Sequence, residues 1–248
     1  MNPRLWLIPF FSILFFPVLP LHAELHPLKG PATGKLGDMA EIKVPEGYEF
    51  FGKDDMKEFM QKTQNLYTGD ELGVLLDPDK ASGFISFFMF DESGYVKDAA
   101  KEKLDPDQMW KQMKDNEPAA NEERKKNGWG EITLIKWAEI PQYNAQTQRL
   151  EWADVLEEKN QQWINYNTKI LGRKGVMQVI VVPHGKNWQS VIPRFNQAID
   201  GFSYTGGNKY AEWKTGDKVA EFGLAALVVG GAGAVCMPDC VDQPEAHG

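Results

Sequence analysis

The sequence predicts an α+β fold in a single domain. Its sheet is mostly antiparallel, and a four-strand meander over about residues 131–182 is flanked by helices. Three observations carry this expectation. Short apolar or alternating runs recur between turn signals. Helical stripes are mixed among them without the strict strand–helix alternation of a parallel sheet. The links between the later runs are too short for parallel crossovers.

Residues 24–35 are rich in proline and glycine and read as a flexible leader. Ala40, Ile42 and Val44 then alternate with Met39, Glu41 and Lys43, the period of a strand. After the turn Pro45-Glu46-Gly47, extended chain resumes at Tyr48, Phe50 and Phe51. Asp55 and Glu58 stand at capping-box spacing, and Met56, Phe59 and Met60 make the stripe of a helix. Leu72–Leu76 predicts a short strand. Phe84–Phe90, nearly all apolar, predicts a central strand covered on both faces.

Asp105 is the expected cap of the next helix, with Pro106 at its first position and Met109, Trp110 and Met113 on its buried side. Pro118 is expected to break it and start a second short helix over 119–126, ended by Asn127-Gly128. The meander strands are expected at Ile132–Trp137, Leu150–Leu156, Ile164–Leu171 and Val176–Val182. In the third, Ile164, Tyr166, Thr168 and Ile170 take one face and Asn165, Asn167 and Lys169 the other. Gly172–Gly175 predicts a tight hairpin. Val191, Ile192, Phe195 and Ile199 mark a closing helix, with Pro193 near its start. The globular domain is thus expected over 36–208, followed by a polar connector over 209–221.

The two ends differ in kind from this body. Arg4, the apolar stretch 5–21 and Leu21-His22-Ala23 have the form of a secretory signal peptide, residues 1–23. Pro9, Pro17 and Pro20 weigh against a spanning helix there. Residues 222–237 are apolar or small and read as a C-terminal helix associated with the cytoplasmic membrane, and 238–248 as a disordered acidic tail. The apolar run is about 16 residues, about 24 Å as a helix, against a bilayer core of about 30 Å. The tail offers no Lys or Arg to hold it in the cytoplasm, and it reads as a truncated or frame-shifted end. Ala226, Gly230 and Ala234, spaced by four, would form a small-residue face for helix association.

The formal net charge of −8 argues against nucleic acid as a partner. Cys236 and Cys240 are the only cysteines, so the body cannot rest on a disulfide. His26, His184 and His247 have no partner at ligand spacing, so neither zinc nor a His-based triad is expected. No catalytic, cofactor-binding or metal-ligating residue is assigned and no cofactor is expected. Glu131, Glu139, Glu151, Asp154 and Glu157 lie on the meander, where a pair such as Glu139 and Asp154 would be the acid–base couple of an envelope hydrolase acting on glycan or peptide. The ordinary account is that sheet faces carry carboxylates to stay wet. Trp137, Trp152 and Trp163 on successive strands would make a sugar platform or, more ordinarily, core. Arg173 with Arg124, Lys125 and Lys126 would bind an anionic partner or, more ordinarily, stay solvated.

Five stretches carry a family resemblance: GDMAEIKVPEGYEF (37–50), GYVKDAAKEKLDPDQM (94–109), ANEERKKNGWGEITLIKWAEIPQYN (120–144), NYNTKILGRKGV (165–176) and WKTGDKVAEFGLAALVVGG (213–231). They resemble a bacterial family of membrane-anchored, exported proteins, domain of unknown function 2167. The resemblance implies an extracytoplasmic domain followed by C-terminal membrane helices, and it brings no catalytic residues. This chain departs from the pattern at Cys236-Met237-Pro238, where an acidic tail replaces a basic, hydrophobic region. A looser resemblance, to the PsbP/Mog1-like sandwich, rests on an opening strand ending in V-P-E-G-Y, a helix, a meander and a closing helix ending in Gly-Phe. The function expected is that of an exported, membrane-associated binding domain with an unidentified envelope protein as partner, the alternative being the hydrolase.

Overall fold

Antiparallel pairing joins all the strands of this computed structural model, which describes residues 25–230 apart from Gln64, Asp98, Ala100, Lys101, Gly185 and Lys186. In chain order the elements are β1 (Leu28–Lys29), β2 (Ala32–Leu36), β3 (Ala40–Val44), β4 (Glu49–Gly52), α1 (Lys53–Lys62), β5 (Glu71–Leu76), β6 (Phe84–Asp91) and α2 (Pro106–Lys126). The meander follows as β7 (Thr133–Asn144), β8 (Arg149–Glu158), β9 (Gln161–Leu171) and β10 (Val176–Pro183), then α3 (Ile192–Ile199), β11 (Phe202–Tyr204) and α4 (Leu224–Gly230). An eight-stranded sheet runs β1-β4-β5-β6-β10-β9-β8-β7, and a three-stranded one runs β11-β3-β2. The expected α+β class, the single domain and the meander all hold, and the apolar run 84–90 is a central strand between β5 and β10.

The large sheet is covered on both faces. One face packs on the small sheet and α3 through Ile42, Phe50, Phe84, Phe88, Val179 and Phe195. The other is covered by helices. Met56, Phe59 and Met60 of α1 lie over Phe87 and Ile180. Met109 and Met113 of α2, with Leu224, Leu227 and Val228 of α4, lie over Leu150 and Trp152.

Several sequence expectations are corrected. The leader over 24–35 contains β1 and most of β2, and β2 pairs with β3 from Ala32↔Val44 to Leu36↔Ala40. Its glycine is a packing device. A Cβ on Gly34 would stand 2.6 Å from Phe50 Cδ1, and one on Gly73 2.5 Å from Phe50 Cζ, so the ring lies across two bare backbones. The connector 209–221 is also part of the domain. Val219 bridges to Tyr95, and Tyr210 and Trp213 stack on Tyr95 at 4.5 and 5.4 Å between centroids. The domain is therefore not bounded at 36 and 208.

The capping box at Asp55 and Glu58 does not form. Helix α1 starts earlier, at Lys53, with Gly52 as a cap that offers no side chain, and Asp54 and Asp55 lie in its first turn, where the helix dipole favours them. At α2 the expected cap is present, since Asp105 Oδ1 accepts from Asp107 N and Gln108 N at 3.1 Å each. The break at Pro118 is absent, and α2 runs through it. Pro118 is exposed, so its ring disturbs no packing, and Asn121 and Arg124 beyond it are anchored to the chain at Ile132 and Gly130.

Candidate functional site: a polar cleft under α2

On β9 the alternation read from sequence is real, but its polar face does not meet water. Asn165, Asn167 and Lys169 are 2, 4 and 3 % exposed, as closed off as Tyr166, Thr168 and Ile170 on the other face. Beside them on β8 lie Trp152 and Asp154, with Asp154 in register with Asn165. A row of polar side chains is thus buried beneath helices, which costs stability unless each polar atom finds a partner.

Asp154 finds partners for only one oxygen. Its Oδ2 accepts from Trp152 Nε1 at 3.1 Å and from Asn167 Nδ2 at 2.9 Å. Its Oδ1 is buried with no hydrogen-bond partner among the described residues. Burial pushes the carboxyl up to about 7, while the two hydrogen bonds pull it down. At neutral pH the group is therefore poised between acid and anion.

The cleft above Asp154 has a volume of about 200 Å³. Its floor is Trp152, Asp154, Leu156, Asn165 and Asn167. One wall is α2, whose inward stripe runs Met109, Met113, Glu117, Asn121 and Arg124 and turns from apolar to polar as it passes Asp154. That wall is fixed to the chain at 130–134. Glu117 Oε2 accepts from Leu134 N at 2.8 Å and from Lys114 Nζ at 2.6 Å. Asn121 accepts from Ile132 N at 2.8 Å and donates to Ile132 O at 2.9 Å. Arg124 Nε donates to Gly130 O at 2.7 Å, while its Nη2 makes no hydrogen bond and stands 3.8 Å from Glu158 Oε2. Val229 and Gly230 of α4 complete the rim. The start of α4 is held by Glu102, whose carboxylate accepts from Leu224 N at 2.5 Å and Ala225 N at 2.9 Å.

Lys169 lies further along the same face. Its Nζ donates to Gln178 Oε1, and burial brings its ammonium down to about 7 against the opposing pull of Asp91. It does not line the cleft.

The sequence candidates fare unevenly. Glu139 pairs in register with Ala153, whereas Asp154 pairs with Trp137. Neighbouring residues of one strand face opposite ways, so the sheet separates Glu139 from Asp154 and the proposed hydrolase couple does not exist. Glu139 instead joins Glu151 and Tyr166 on the other face, where burial raises Glu151 and Thr168 Oγ1 donates to it at 3.3 Å. The three tryptophans form no open platform. Trp152 is 1 % exposed, Trp137 meets Trp110 at 4.9 Å, and Trp163 Nε1 donates to Asn165 Oδ1 at 3.2 Å. The basic cluster also dissolves. Arg124 is buried, and Arg173 is held by Asp217 through two contacts of 2.7 Å. Among the described residues no three His, Cys, Asp or Glu side chains stand together as metal ligands.

Asn121, Asn165 and Asn167 have no place among the sequence candidates, and Arg124 stands there only as part of a basic surface cluster. The signal available was the helical spacing of Met109, Met113, Glu117, Asn121 and Arg124, which an expected break at Pro118 cuts in two.

The comparisons with known proteins define the class first. The model of the family described as "Protein of unknown function (DUF2167)" matches residues 28–237. The chain belongs to that family. Among solved structures, cyanobacterial PsbP (CyanoP) from Synechocystis sp. PCC 6803 is similar over 69 % of this chain and 90 % of that one, at 11 % identity and a TM-score of 0.40. No curated protein matches the chain. Among the described residues no helix is long and apolar enough to cross a membrane. The signal segment 1–23, the part of the apolar segment beyond Gly230 and the tail 238–248 lie outside the described residues.

Proposed function

We propose that this protein is an exported, extracytoplasmic domain that works at the periplasmic face of the bacterial cytoplasmic membrane by binding, not by catalysis. The observation that carries the binding role is the cleft, on whose floor Asp154 keeps a buried carboxylate oxygen, Oδ1, that has no hydrogen-bond partner among the described residues. A buried acceptor left unpaired is costly, and a ligand that donates to it recovers the cost. Catalysis is disfavoured because Glu117, the other carboxylate on the cleft, has its Oε2 taken up by Leu134 N and Lys114 Nζ and so serves to fix α2 to β7. The address rests on the signal-like segment 1–23 and on the apolar run 222–237, whose first turns form α4 at the rim of the cleft. Helix α4 buries Leu224, Leu227 and Val228 in the domain and brings Val229 and Gly230 to the cleft, which sets the apolar run beside it.

Expression of the full chain in a bacterial host, followed by fractionation and N-terminal sequencing, tests the address. The expected product begins at Glu24, stays with the membrane fraction and crosslinks to envelope proteins. An intact product retaining Met1 in the cytosolic fraction contradicts it.

A further inference from the structure

We propose that the cleft takes a small organic cation, a primary ammonium on a short apolar body, with the ammonium donating to Asp154 Oδ1. This rests on the cleft being a binding site, as argued above, and goes on to name the chemistry of what enters it.

The charge pattern selects the ligand. Among the described residues Asp154 Oδ1 is an acceptor without a donor, and burial, Trp152 and Asn167 account for the state of its carboxyl without a cation. An anionic ligand would meet a lone pair or a second negative charge. A neutral donor would gain one hydrogen bond only. An ammonium gains a charge-assisted hydrogen bond where little water screens it. Of the other charged groups on the cleft, Glu117 gives its Oε2 to Lys114 and Leu134 N, and Arg124 gives its Nε to Gly130 O while its Nη2, which makes no hydrogen bond, stands 3.8 Å from Glu158 Oε2 and is turned to that carboxylate's charge rather than to Asp154. From α4 the cleft receives only Val229 and Gly230.

Size and lining select the rest of the molecule. About 200 Å³ holds roughly seven water-sized groups. Met113, Trp152, Leu156 and Val229 supply apolar walls for a short alkyl body. The polar row of Asn165 and Asn167 continues the floor from Asp154 and would meet a further polar substituent.

The test uses the full chain and three matched probes: propylammonium, propanol and propionate. The Trp152 indole N–H, which donates to Asp154, reports the site in proton–nitrogen spectra. Propylammonium should shift that resonance saturably at pH 8, with Asp154→Asn weakening binding by about tenfold or more. Propanol and propionate should bind far more weakly. Below about pH 7 the wild-type affinity should fall by about tenfold per pH unit, because Asp154 must release its proton to accept the cation. This pH arm stands even if the variant fails to fold. No saturable shift, equal binding of propanol and propylammonium, or an affinity independent of pH would each overturn the proposal. Such a failure would leave the export experiment untouched, and a failure of export would leave ammonium binding untouched.

Discussion

Two faces of one strand, β9, are equally closed to water and chemically unlike. Tyr166 and Ile170 join Phe88, Val179 and Phe195 in an apolar core under the small sheet, while Asn165, Asn167 and Lys169 lie buried under helices with Asp154 beside them. The first face is what a sheet needs in order to fold. The second burdens folding with desolvated polar groups, and one of them, Asp154 Oδ1, has no partner to offset the burden. The difference separates an apolar face from one that, between its own apolar clusters, leaves a buried acceptor unpaired.

The largest expected effect breaks the apolar side. Phe88→Ala, at a fully buried ring, should cost about 3–5 kcal/mol in urea denaturation. A loss well under that would mean this face is not the main source of stability.

The polar side should show itself through pH. Asp154 is raised from 3.8 to about 7, so between those values the folded state holds a proton that the unfolded chain has lost, and its contribution falls as pH rises across that window. Lys169 is lowered from 10.5 to about 7, so between pH 7 and 10.5 the unfolded chain holds the extra proton and stability climbs with pH. Each swing should be on the order of a few kcal/mol. Asp154→Asn should flatten the acid limb and Lys169→Met the alkaline limb, as read from denaturation midpoints at stepped pH. Limbs unchanged by either substitution would place both groups in water.

A smaller effect sharpens the picture of close packing. At Gly73 an added methyl would stand 2.5 Å from Phe50 Cζ and 2.8 Å from Phe51 O, so Gly73→Ala should cost about 1–3 kcal/mol by thermal denaturation. The smallest effect lies at the edge of both faces. Arg173 ties the β9–β10 hairpin to the 209–221 connector through Asp217, whose carboxyl is lowered to about 2 chiefly by that hydrogen bond. Arg173→Gln should speed amide exchange at Lys214 with little change in global stability, because the part-buried pair ties down only the hairpin and the connector, whose local opening costs less than global unfolding.

Most of the fold was legible because strand and helix periods are strong signals, and the runs at 84–90 and 150–182 carry them plainly. Residues 24–35 were misread because Gly34 and Pro31 look like loop residues, while their strand role depends on Phe50, which is distant in sequence. Pro118 was misread because its cost depends on whether it faces water. The site was legible only in fragments. Asp154 is legible as a carboxylate on the meander, but its pairing with Glu139 fails, because the register slips between Trp137 and Glu139 that set their faces leave no trace in composition. That Asn165, Asn167 and Lys169 are buried follows from what α2 covers, and a single strand's alternation does not encode its cover.

The carboxyl carbon of Asp154, followed by NMR from pH 3 to pH 9, bears most directly on the contrast between the two faces. A titration centred near 7 is the result this account predicts. A midpoint close to the ordinary 3.8 would show that the carboxylate is hydrated and that no closed polar cleft exists beneath α2.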